Sequence, residues 1–270
     1  MDQTIQRVAR LNEIGISLSV ERDTSIVCEK ILQGAMELTH ADGGSLYRMS
    51  DDQQTLEFVI VANHSLNIHM GGSSGVEINF YPTQSFVDGK ANTSMVVSCA
   101  VHEDRTINIS DAYNVDGFDF SGTRKFDEKT GYRTQSILTV PMKNHEGEII
   151  GVLQLINAKD EQGITKEFSA EECDLAESLA SQAAVALTNN RLIEEQRELF
   201  ESFIKMIAGA IDEKSPYTGG HCRRLPELTM MIAEACHDSD IGVLNDFSMK
   251  DSDRYELRIA GWLHDCGKVT

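Results

Sequence analysis

The spacing of apolar residues divides the chain into two parts that meet near residue 190. Before that point, some apolar positions alternate with polar ones and others recur at helical spacing, which predicts strands and helices together. After it, apolar positions recur only at helical spacing. We therefore predict an α+β domain with a mainly antiparallel sheet and flanking helices, joined by a long helix to an all-α segment. The predicted boundaries are an N-terminal helix at 1–20, the α+β domain at 21–190, a linker helix at 185–203 and the all-α segment at 204–270.

Alternation is clearest in two hairpins of the first part. Their strands are predicted at 45–49, 56–62, 136–142 and 149–156. The second hairpin has Gly147 in its turn, where glycine supplies the positive φ that a tight turn requires. Elsewhere the pattern is weaker. It predicts a break at 40–44, a strand at 76–80, a short helix after Thr83, a helix at 93–101, a strand at 106–109 and a polar, lid-like loop with one helical turn at 114–131.

A long helical pattern starts at Ser169 and continues through Phe200. Ser169 and Glu172 have the spacing of a capping box, which predicts the start of the helix. The second half of the pattern, at 189–201, is rich in charge and carries a sparse apolar stripe. That pattern is typical of a linker helix or a two-stranded coiled coil, and we expect a homodimer through it. The alternative is a single helix that lies on the first domain.

Composition narrows the range of partners. The chain has 270 residues and a net charge of −19, so it repels nucleic acids and anionic lipid surfaces, and we expect it to bind neither. No apolar run reaches the roughly 18–20 residues that span a bilayer, which predicts a cytoplasmic protein without a membrane segment. The six cysteines are scattered without a C-x-x-C pair, which favours reduced, structural thiols.

Four motifs in the first part carry a family resemblance. They are N-I-S-D-A-Y at 108–113, T-G-Y-R-T-Q-S-I-L at 130–138, P-M-K-N at 141–144 and G-V-L-Q-L-I-N at 151–157. Together they resemble the GAF domains of cyclic-nucleotide phosphodiesterases and cyanobacterial-type adenylyl cyclases over roughly residues 20–190. The resemblance implies a GAF-like fold with a pocket for cyclic GMP or cyclic AMP. Two alternatives are a GAF-fold dimerisation module that binds another ligand or none, and a bilin chromophore attached at Cys99.

The resemblance also implies which residues form the pocket. They are Ser45, the backbone of Val96 and Val97, Asp127, Thr130, Thr134 and Gln154. Hydroxyl groups can bond a phosphate or a purine edge, a carboxylate accepts from an exocyclic amine, and N–H groups at a helix start can hold a phosphate. The chain differs from the family signature at two places. Ala158 stands where the signature has lysine, and Lys159 is the next residue. Glu172-Cys173 stands where the signature has Asp-Glu. We therefore predict that a Lys–Asp pair bracing the pocket is missing or rebuilt.

The second part ends in the adjacent residues His264 and Asp265, which can present an imidazole nitrogen and a carboxylate to divalent ions. Gly267 would let the backbone approach a ligand closely, and Lys268 could reach a phosphate. Upstream, the chain reads S-P-Y-T-G-G-H at 215–221. The two motifs resemble the HD-GYP group of HD phosphohydrolases, known for hydrolysing cyclic di-GMP.

This second resemblance implies that His221, His264 and Asp265 are metal ligands and that Lys268 contacts phosphate, with Asp265 and Lys268 as catalytic residues. Fe or Mn suits such a His/Asp-rich, two-metal site. Some members of the group carry a glutamate ligand four residues before the first histidine, where this chain has Tyr217. The chain ends two residues after Lys268. We therefore expect the remaining ligands and the GYP motif beyond residue 270, and a catalytically incomplete fragment.

The two resemblances together predict a sensor-regulated, metal-dependent phosphodiesterase of the HD superfamily. A cyclic nucleotide in the first domain would shift the long helix and change the geometry of the metal site. One alternative is a non-catalytic ligand-binding or dimerisation module with a vestigial HD segment. Another is an HD hydrolase that acts on a nucleotide unrelated to cyclic di-GMP.

Overall fold

The computed structural model describes residues 3–214 and 220–269. Its chain forms two compact units, Met1–Asn190 and Arg191–Thr270. The helices of the first unit are α1 (Gln3–Val20), α2 (Thr24–Thr39), α3 (Val96–Glu103) and α4 (Ser121–Thr130). Its strands are β1 (Ala41–Met49), β2 (Thr55–Asn63), β3 (Ile68–Gly71), β4 (Thr83–Gln84), β5 (Phe86–Val87), β6 (Lys90–Ala91), β7 (Ile107–Ile109), β8 (Ile137–Lys143), β9 (Ile149–Lys159) and β10 (Thr165–Lys166). The next helix, α5 (Ala170–Lys214), is 45 residues long and continues into the second unit.

The main sheet of the first unit has the strand order β3-β2-β1-β9-β8-β7, and its neighbouring strands pair antiparallel. Apolar side chains on one face pack against α1, α2 and α5 and form the main core, which includes Leu46 and Leu153. Residues that alternate with these, such as Ser45 and Gln154, point to the opposite face. α3 packs on that face, where Val97 contacts Tyr47. The predicted α+β architecture with an antiparallel sheet is confirmed.

The predicted break at 40–44 is wrong, because Gly43 and Gly44 lie inside β1. This strand pairs with β2 on one side and with β9 on the other. A Cβ at Gly44 would lie 2.8 Å from the Gln154 carbonyl oxygen and 2.9 Å from Leu32 Cδ1. Glycine is required there because β9 and α2 approach the backbone closely, rather than because the chain turns.

The segment between β3 and α3 also differs from the prediction. Residues 76–80 form no strand, and β4, β5 and β6 replace the predicted helix after Thr83. β4 pairs with the start of β2 at Thr55 and Leu56. Strands of two residues exist only through such pairing, so a local pattern of apolar residues cannot reveal them. For the same reason the sequence did not show β10, which pairs with the end of β9.

The lid-like loop predicted at 114–131 contains more helix than expected. Instead of one helical turn, it holds the ten-residue helix α4. Asp127 is the buried residue of this helix, whose other side chains are polar or partly exposed. A helix without an apolar stripe gives no periodic signal, which explains the error.

The predicted start of α5 is confirmed. An ion pair between Lys166 and Glu172, called the brace below, supports it. The Glu172 N–H donates to Ser169 Oγ at 3.3 Å, and the Ser169 N–H donates to Glu172 Oε2 at 2.8 Å. Lys166 Nζ on β10 lies 2.6 Å from Glu172 Oε2, and Glu172 is only 2% exposed. The family signature's Lys–Asp pair is thus replaced by Lys166 and Glu172, which fasten β10 to the helix.

We expect this brace to make the stability of the first unit depend on pH. Burial opposes ionisation of Glu172, but Lys166 and Ser169 outweigh burial and lower the pKa of this carboxyl. A lowered folded-state pKa stabilises the fold above the unfolded value of about 4.3, and this stabilisation is lost as pH falls further. Glu172→Gln should reduce the unfolding free energy at pH 7 by about 1–3 kcal/mol. In denaturant titrations, its deficit relative to wild type should shrink below about pH 4.

The exposed neighbour Glu167 provides the matched control for this prediction. Glu167→Gln removes one carboxylate without touching the brace, so its unfolding free energy should follow that of the wild type at every pH. A Glu172→Gln variant with wild-type stability from pH 3 to pH 7 would show that the brace does not stabilise the fold.

The described residues of the second unit contain helices and no strand. They comprise the end of α5, α6 (His221–His237), α7 (Asp251–Leu263) and two 3-10 turns at Gly242–Leu244 and Cys266–Val269. α6 and α7 approach each other closely, since a Cβ at Gly261 would lie 3.0 Å from Pro226 Cα. Arg254 also bridges them through Glu234, at 2.8 Å. Among the helices of the described residues, none is long and apolar enough to cross a membrane.

Candidate functional site

The face of the main sheet on which α3 packs carries a row of polar side chains in the first unit. Ser45, Gln154 and Thr139 are lateral neighbours on β1, β9 and β8. Gln154 Nε2 donates to Thr139 Oγ1, and the Tyr47 hydroxyl donates to Gln154 Oε1, both at 3.1 Å. Burial raises the pKa of the Tyr47 hydroxyl, so this group remains a donor at neutral pH. The row offers both donors and acceptors to a bound molecule.

The start of α3 lies beside this polar row. Val97 packs against Tyr47 and Val152, while Val96 belongs to the neighbouring apolar cluster. The N-cap residue Met95 makes no side-chain bond to the helix. Because the first N–H groups of a helix lack intrahelical acceptors, this helix start can present backbone donors to an anion. The structure therefore brings Val96 and Val97 close to the row that contains Gln154.

Asp127 and Thr134, two of the predicted pocket residues, are bonded to each other. The Asp127 carboxylate is 3% exposed. It accepts from the Thr134 N–H at 2.7 Å, from the Thr134 hydroxyl at 2.9 Å and from the Tyr113 hydroxyl at 2.9 Å. Thr130 Oγ1 donates to the Phe126 carbonyl at 2.8 Å. All three predicted side chains of this covering segment thus have partners within the protein.

Asn157 ties the covering segment to the sheet. Its Oδ1 accepts from the Gln135 N–H and its Nδ2 donates to the Arg133 carbonyl, both at 2.7 Å. Its φ of 56° lies in the left-handed region, which asparagine tolerates better than most residues. This geometry gives the signature asparagine a physical role, because it fixes the backbone on both sides of Thr134.

Lys159, which stands next to the substituted Ala158, makes a second ion pair at the edge of this unit. Its Nζ lies 2.7 Å from Oδ1 of Asp42, a residue that is 4% exposed. The Tyr132 hydroxyl donates to Oδ2 of the same carboxylate at 2.7 Å. Burial opposes ionisation of Asp42, but Lys159, Tyr132 and Ser65 outweigh it and lower the pKa of Asp42. The pair anchors the segment before Thr134 to the first strand.

The second unit contains a compact group of three potential metal ligands. His221 begins α6, while His264 and Asp265 follow the end of α7. One ligand atom from each residue lies within 4.8 Å of those from the other two. The two Nε2 atoms are 3.1 Å apart, and His264 Nε2 is 3.3 Å from Asp265 Oδ1. Within the described residues, the structure therefore brings together the three side chains that the sequence singled out.

The hydrogen bonds of His264 determine which of its nitrogens faces the group. Its Nδ1 lies 2.7 Å from the Gly261 carbonyl, which can only accept. Nδ1 therefore carries the proton in the neutral ring, and Nε2 presents its lone pair towards His221 and Asp265. A backbone carbonyl that orients the remote ring nitrogen is the usual support of a metal-binding histidine.

The chemistry of this donor set fits a divalent cation. With metal–nitrogen bonds of about 2.1 Å, neighbouring ligand atoms lie roughly 3.0–3.4 Å apart in octahedral or tetrahedral sites. The distances from His264 Nε2 to His221 Nε2 and to Asp265 Oδ1 both fall in that range. Asp265 is buried, at 7% exposed, and its carboxylate supplies negative charge, whereas His221 is half-buried and His264 is exposed. Two imidazoles and one carboxylate suit ions such as Fe or Mn.

Two residues of the HD prediction fall outside what the structure describes. They are Tyr217 and the side chain of Lys268. Cys222, by contrast, is buried next to His221, and burial together with Asp212 raises its pKa to about 11. This cysteine therefore remains a protonated thiol at neutral pH.

Sequence reasoning missed several polar residues that the fold brings to the two sites. They are Tyr47, Tyr113 and Thr139 in the first unit and Asp212 in the second. Tyr47 could have been found, because it lies two residues after Ser45 on a predicted strand and so shares its face. Tyr113 and Asp212 have no such signal, since their bonds to Asp127 and Cys222 depend on tertiary packing.

Comparisons with known proteins place the first unit in a family. The family model described as "GAF domain" matches residues 23–187. The cGMP-specific 3',5'-cyclic phosphodiesterases of Drosophila erecta and Drosophila melanogaster are 29% and 28% identical to the chain over 177 and 174 residues. Each match covers 64% of this chain, which spans only 15% and 14% of those proteins.

A solved structure shows the same fold. The GAF domain from a phosphoenolpyruvate-protein phosphotransferase of Coxiella burnetii matches with a TM-score of 0.53 at 14% identity. The match covers 72% of this chain and 99% of that domain. The family match and this shared fold agree with the antiparallel sheet and flanking helices described above. The chain therefore belongs to the GAF domain family.

Proposed function

We propose that this chain belongs to a metal-dependent phosphodiesterase of the HD superfamily, with a sensor in its first unit and metal ligands in its second. The observation that carries the proposal is the convergence of His221, His264 and Asp265, whose ligand atoms lie within 4.8 Å of one another. These residues come from two helices that are separated in sequence, so a chance arrangement of a His-Asp dipeptide does not account for it. The substrate class is cyclic di-GMP or a related nucleotide.

Each residue of the group has a distinct role in this proposal. His264 Nε2, His221 Nε2 and a carboxylate oxygen of Asp265 would hold a divalent ion. Such ions polarise a phosphodiester and lower the pKa of a bound water. Lys268 would contact the substrate phosphate.

A cyclic nucleotide is the regulator that we propose for the first unit. The fly relatives are named for their action on cyclic GMP. The polar row with Ser45 and Gln154 offers donors and acceptors for a purine edge, and the start of α3 offers N–H groups to a cyclic phosphate. The ligand would shift the long helix α5 by binding more tightly to one of two states. A cytoplasmic location is part of this proposal.

A homodimer through α5 is the assembly that we propose. In the second unit, the helix exposes Leu192, Leu199, Phe203 and Met206, which are 45%, 72%, 58% and 70% exposed. These residues fall on one heptad seam with Gln196, whereas Ile204 outside this seam is buried. With side chains of roughly 200 Å², two copies would bury on the order of 1,000 Å² of apolar surface, the scale of a specific interface.

A non-catalytic GAF module is the second candidate. The observation that favours it is the internal bonding of Asp127, Thr130 and Thr134, whose polar atoms already have protein partners. A ligand that needed all three side chains would have to displace these bonds. Gln154 in the polar row is bonded to Thr139 and Tyr47 in the same way, so nucleotide binding has to be measured directly.

Calorimetric titration of the chain with cyclic GMP and cyclic AMP tests the sensor. We expect saturable binding of one nucleotide, and about tenfold weaker binding by Gln154→Ala, because Gln154 is central to the polar row. Exposed Gln54 provides a control, since Gln54→Ala should bind as the wild type does. Absence of heat with either nucleotide would contradict the proposed cyclic-nucleotide sensor. Hydrolysis of cyclic di-GMP by the full-length protein tests the proposed catalytic activity separately.

A further inference from the structure

The start of α6 lacks a conventional cap, although it positions a proposed metal ligand. His221 is the first residue of the helix, and the N-cap residue before it is Gly220, with a φ of 78° and no side chain. The first N–H groups of a helix need acceptors from outside the helix, usually an N-cap side chain. At this helix the acceptor must come from elsewhere in the chain.

Asp212, near the end of α5, supplies that acceptor. Its Oδ1 accepts from the Cys222 N–H at 3.2 Å, although the two residues are ten positions apart. Cys222 is 1% exposed, so water cannot easily replace this bond. A carboxylate at this place also complements the positive end of the helix dipole.

We infer that Asp212 is the positioning residue that holds His221 against His264 and Asp265. The inference rests on the proposed metal site, since it names the group that aligns one of its ligands. Cys222 directly follows His221, so fixing the Cys222 N–H fixes the backbone that carries the His221 ring. His221 Nε2 has to lie within about 3.4 Å of His264 Nε2 for both to bind one ion, and the observed distance is 3.1 Å.

The packing of α6 against α7 does not depend on Asp212. The close approach of Gly261 to Pro226 and the ion pair between Arg254 and Glu234 hold the bodies of these helices together. Loss of Asp212 should therefore loosen only the first turn of α6. Since Asp212 belongs to α5, a displacement of the end of that helix would move His221 relative to His264. Asp212 thereby links the long helix to the metal ligands.

Two measurements on the 270-residue chain test this role, with Zn²⁺ as the probe. The first follows the imidazole nitrogens of His221 and His264 by NMR during Zn²⁺ titration, with His221→Asn used for assignment. We expect Asp212→Ala to weaken Zn²⁺ binding by roughly tenfold or more, as for other residues that support a metal ligand. Asp212→Asn keeps an acceptor and should recover part of the affinity. Glu227→Ala removes an exposed carboxylate from α6. Its affinity for Zn²⁺ should lie within about twofold of the wild-type value.

The second measurement is amide hydrogen exchange in the metal-free chain. We expect Asp212→Ala to speed exchange of the Cys222 amide at least tenfold, while amides in the middle of α6 keep their wild-type rates. Wild-type exchange at Cys222, or wild-type Zn²⁺ affinity in Asp212→Ala, would overturn the inference. If the wild type itself does not bind Zn²⁺ through His221 and His264, the proposed metal site fails. Exchange at Cys222 then still decides whether Asp212 holds the start of α6.

Discussion

His264→Ala should reduce the affinity of the chain for Zn²⁺ by at least roughly 100-fold, more than loss of a supporting residue does. The substitution removes the Nε2 atom that lies 3.1 Å from His221 Nε2 and 3.3 Å from Asp265 Oδ1. Two remaining ligands cannot hold a divalent ion as three do. Zn²⁺ is the suitable probe because it binds nitrogen ligands more tightly than Mn²⁺ or Fe²⁺ and so gives a measurable starting affinity. Competition with a chelator of known affinity measures the change.

His145→Ala is the matched control for this substitution. His145 is exposed in the turn between β8 and β9, far from the second unit in sequence. Its removal should leave Zn²⁺ affinity unchanged. Far-ultraviolet circular dichroism should show the same helix content in both variants, because His264 lies at the end of α7. Equal Zn²⁺ affinity in His264→Ala and wild type would mean that the three side chains do not share a cation.

Asp127→Ala should lower the unfolding free energy of the first unit by about 3 kcal/mol. Its carboxylate accepts three hydrogen bonds from Thr134 and Tyr113, and Thr134 is 4% exposed. Each buried donor left without an acceptor costs about 1–3 kcal/mol. Alanine offsets only a few tenths of this loss through its higher helix propensity. Native-state hydrogen exchange of amides in β8 and β9 measures the effect within the first unit.

Fluorescence is less suitable for that measurement, because the single tryptophan, Trp262, lies in the second unit. Asp116→Ala provides the control, since Asp116 is exposed in the same segment and its removal changes the net charge equally. The amides in β8 and β9 of this variant should exchange their hydrogens at wild-type rates. If Asp127→Ala kept wild-type exchange rates, then Asp127 would not be structural, and a role as a direct ligand contact would gain support.

The hairpins were predictable because their signals are local. Alternating apolar residues and Gly147 are sufficient to predict β8 and β9, and Ser169 with Glu172 is sufficient to predict the start of α5. Gly43 and Gly44 show the limit of such signals. A pair of glycines indicates either a turn or a close approach between elements, and only the positions of β9 and α2 decide between them.

The two candidate sites differ in how much the sequence reveals. His264 and Asp265 are adjacent, so their proximity needed no structure, whereas the approach of His221 depends on the packing of α6 against α7. The resemblance to a known family supplied that expectation, which no spacing rule provides. In the first unit, the bond between Asp127 and Thr134 depends on how α4 folds back, and the polar sequence of α4 gives no periodic signal for it.

Anomalous diffraction from crystals of this chain grown with Zn²⁺ tests the central claim most directly. We expect a peak at the zinc absorption edge about 2.1 Å from Nε2 of both His221 and His264 and from one carboxylate oxygen of Asp265. A map without a peak between these residues, with zinc bound elsewhere or not at all, would contradict the account. The proposed phosphodiesterase would then be withdrawn, and the chain would remain a member of the GAF domain family.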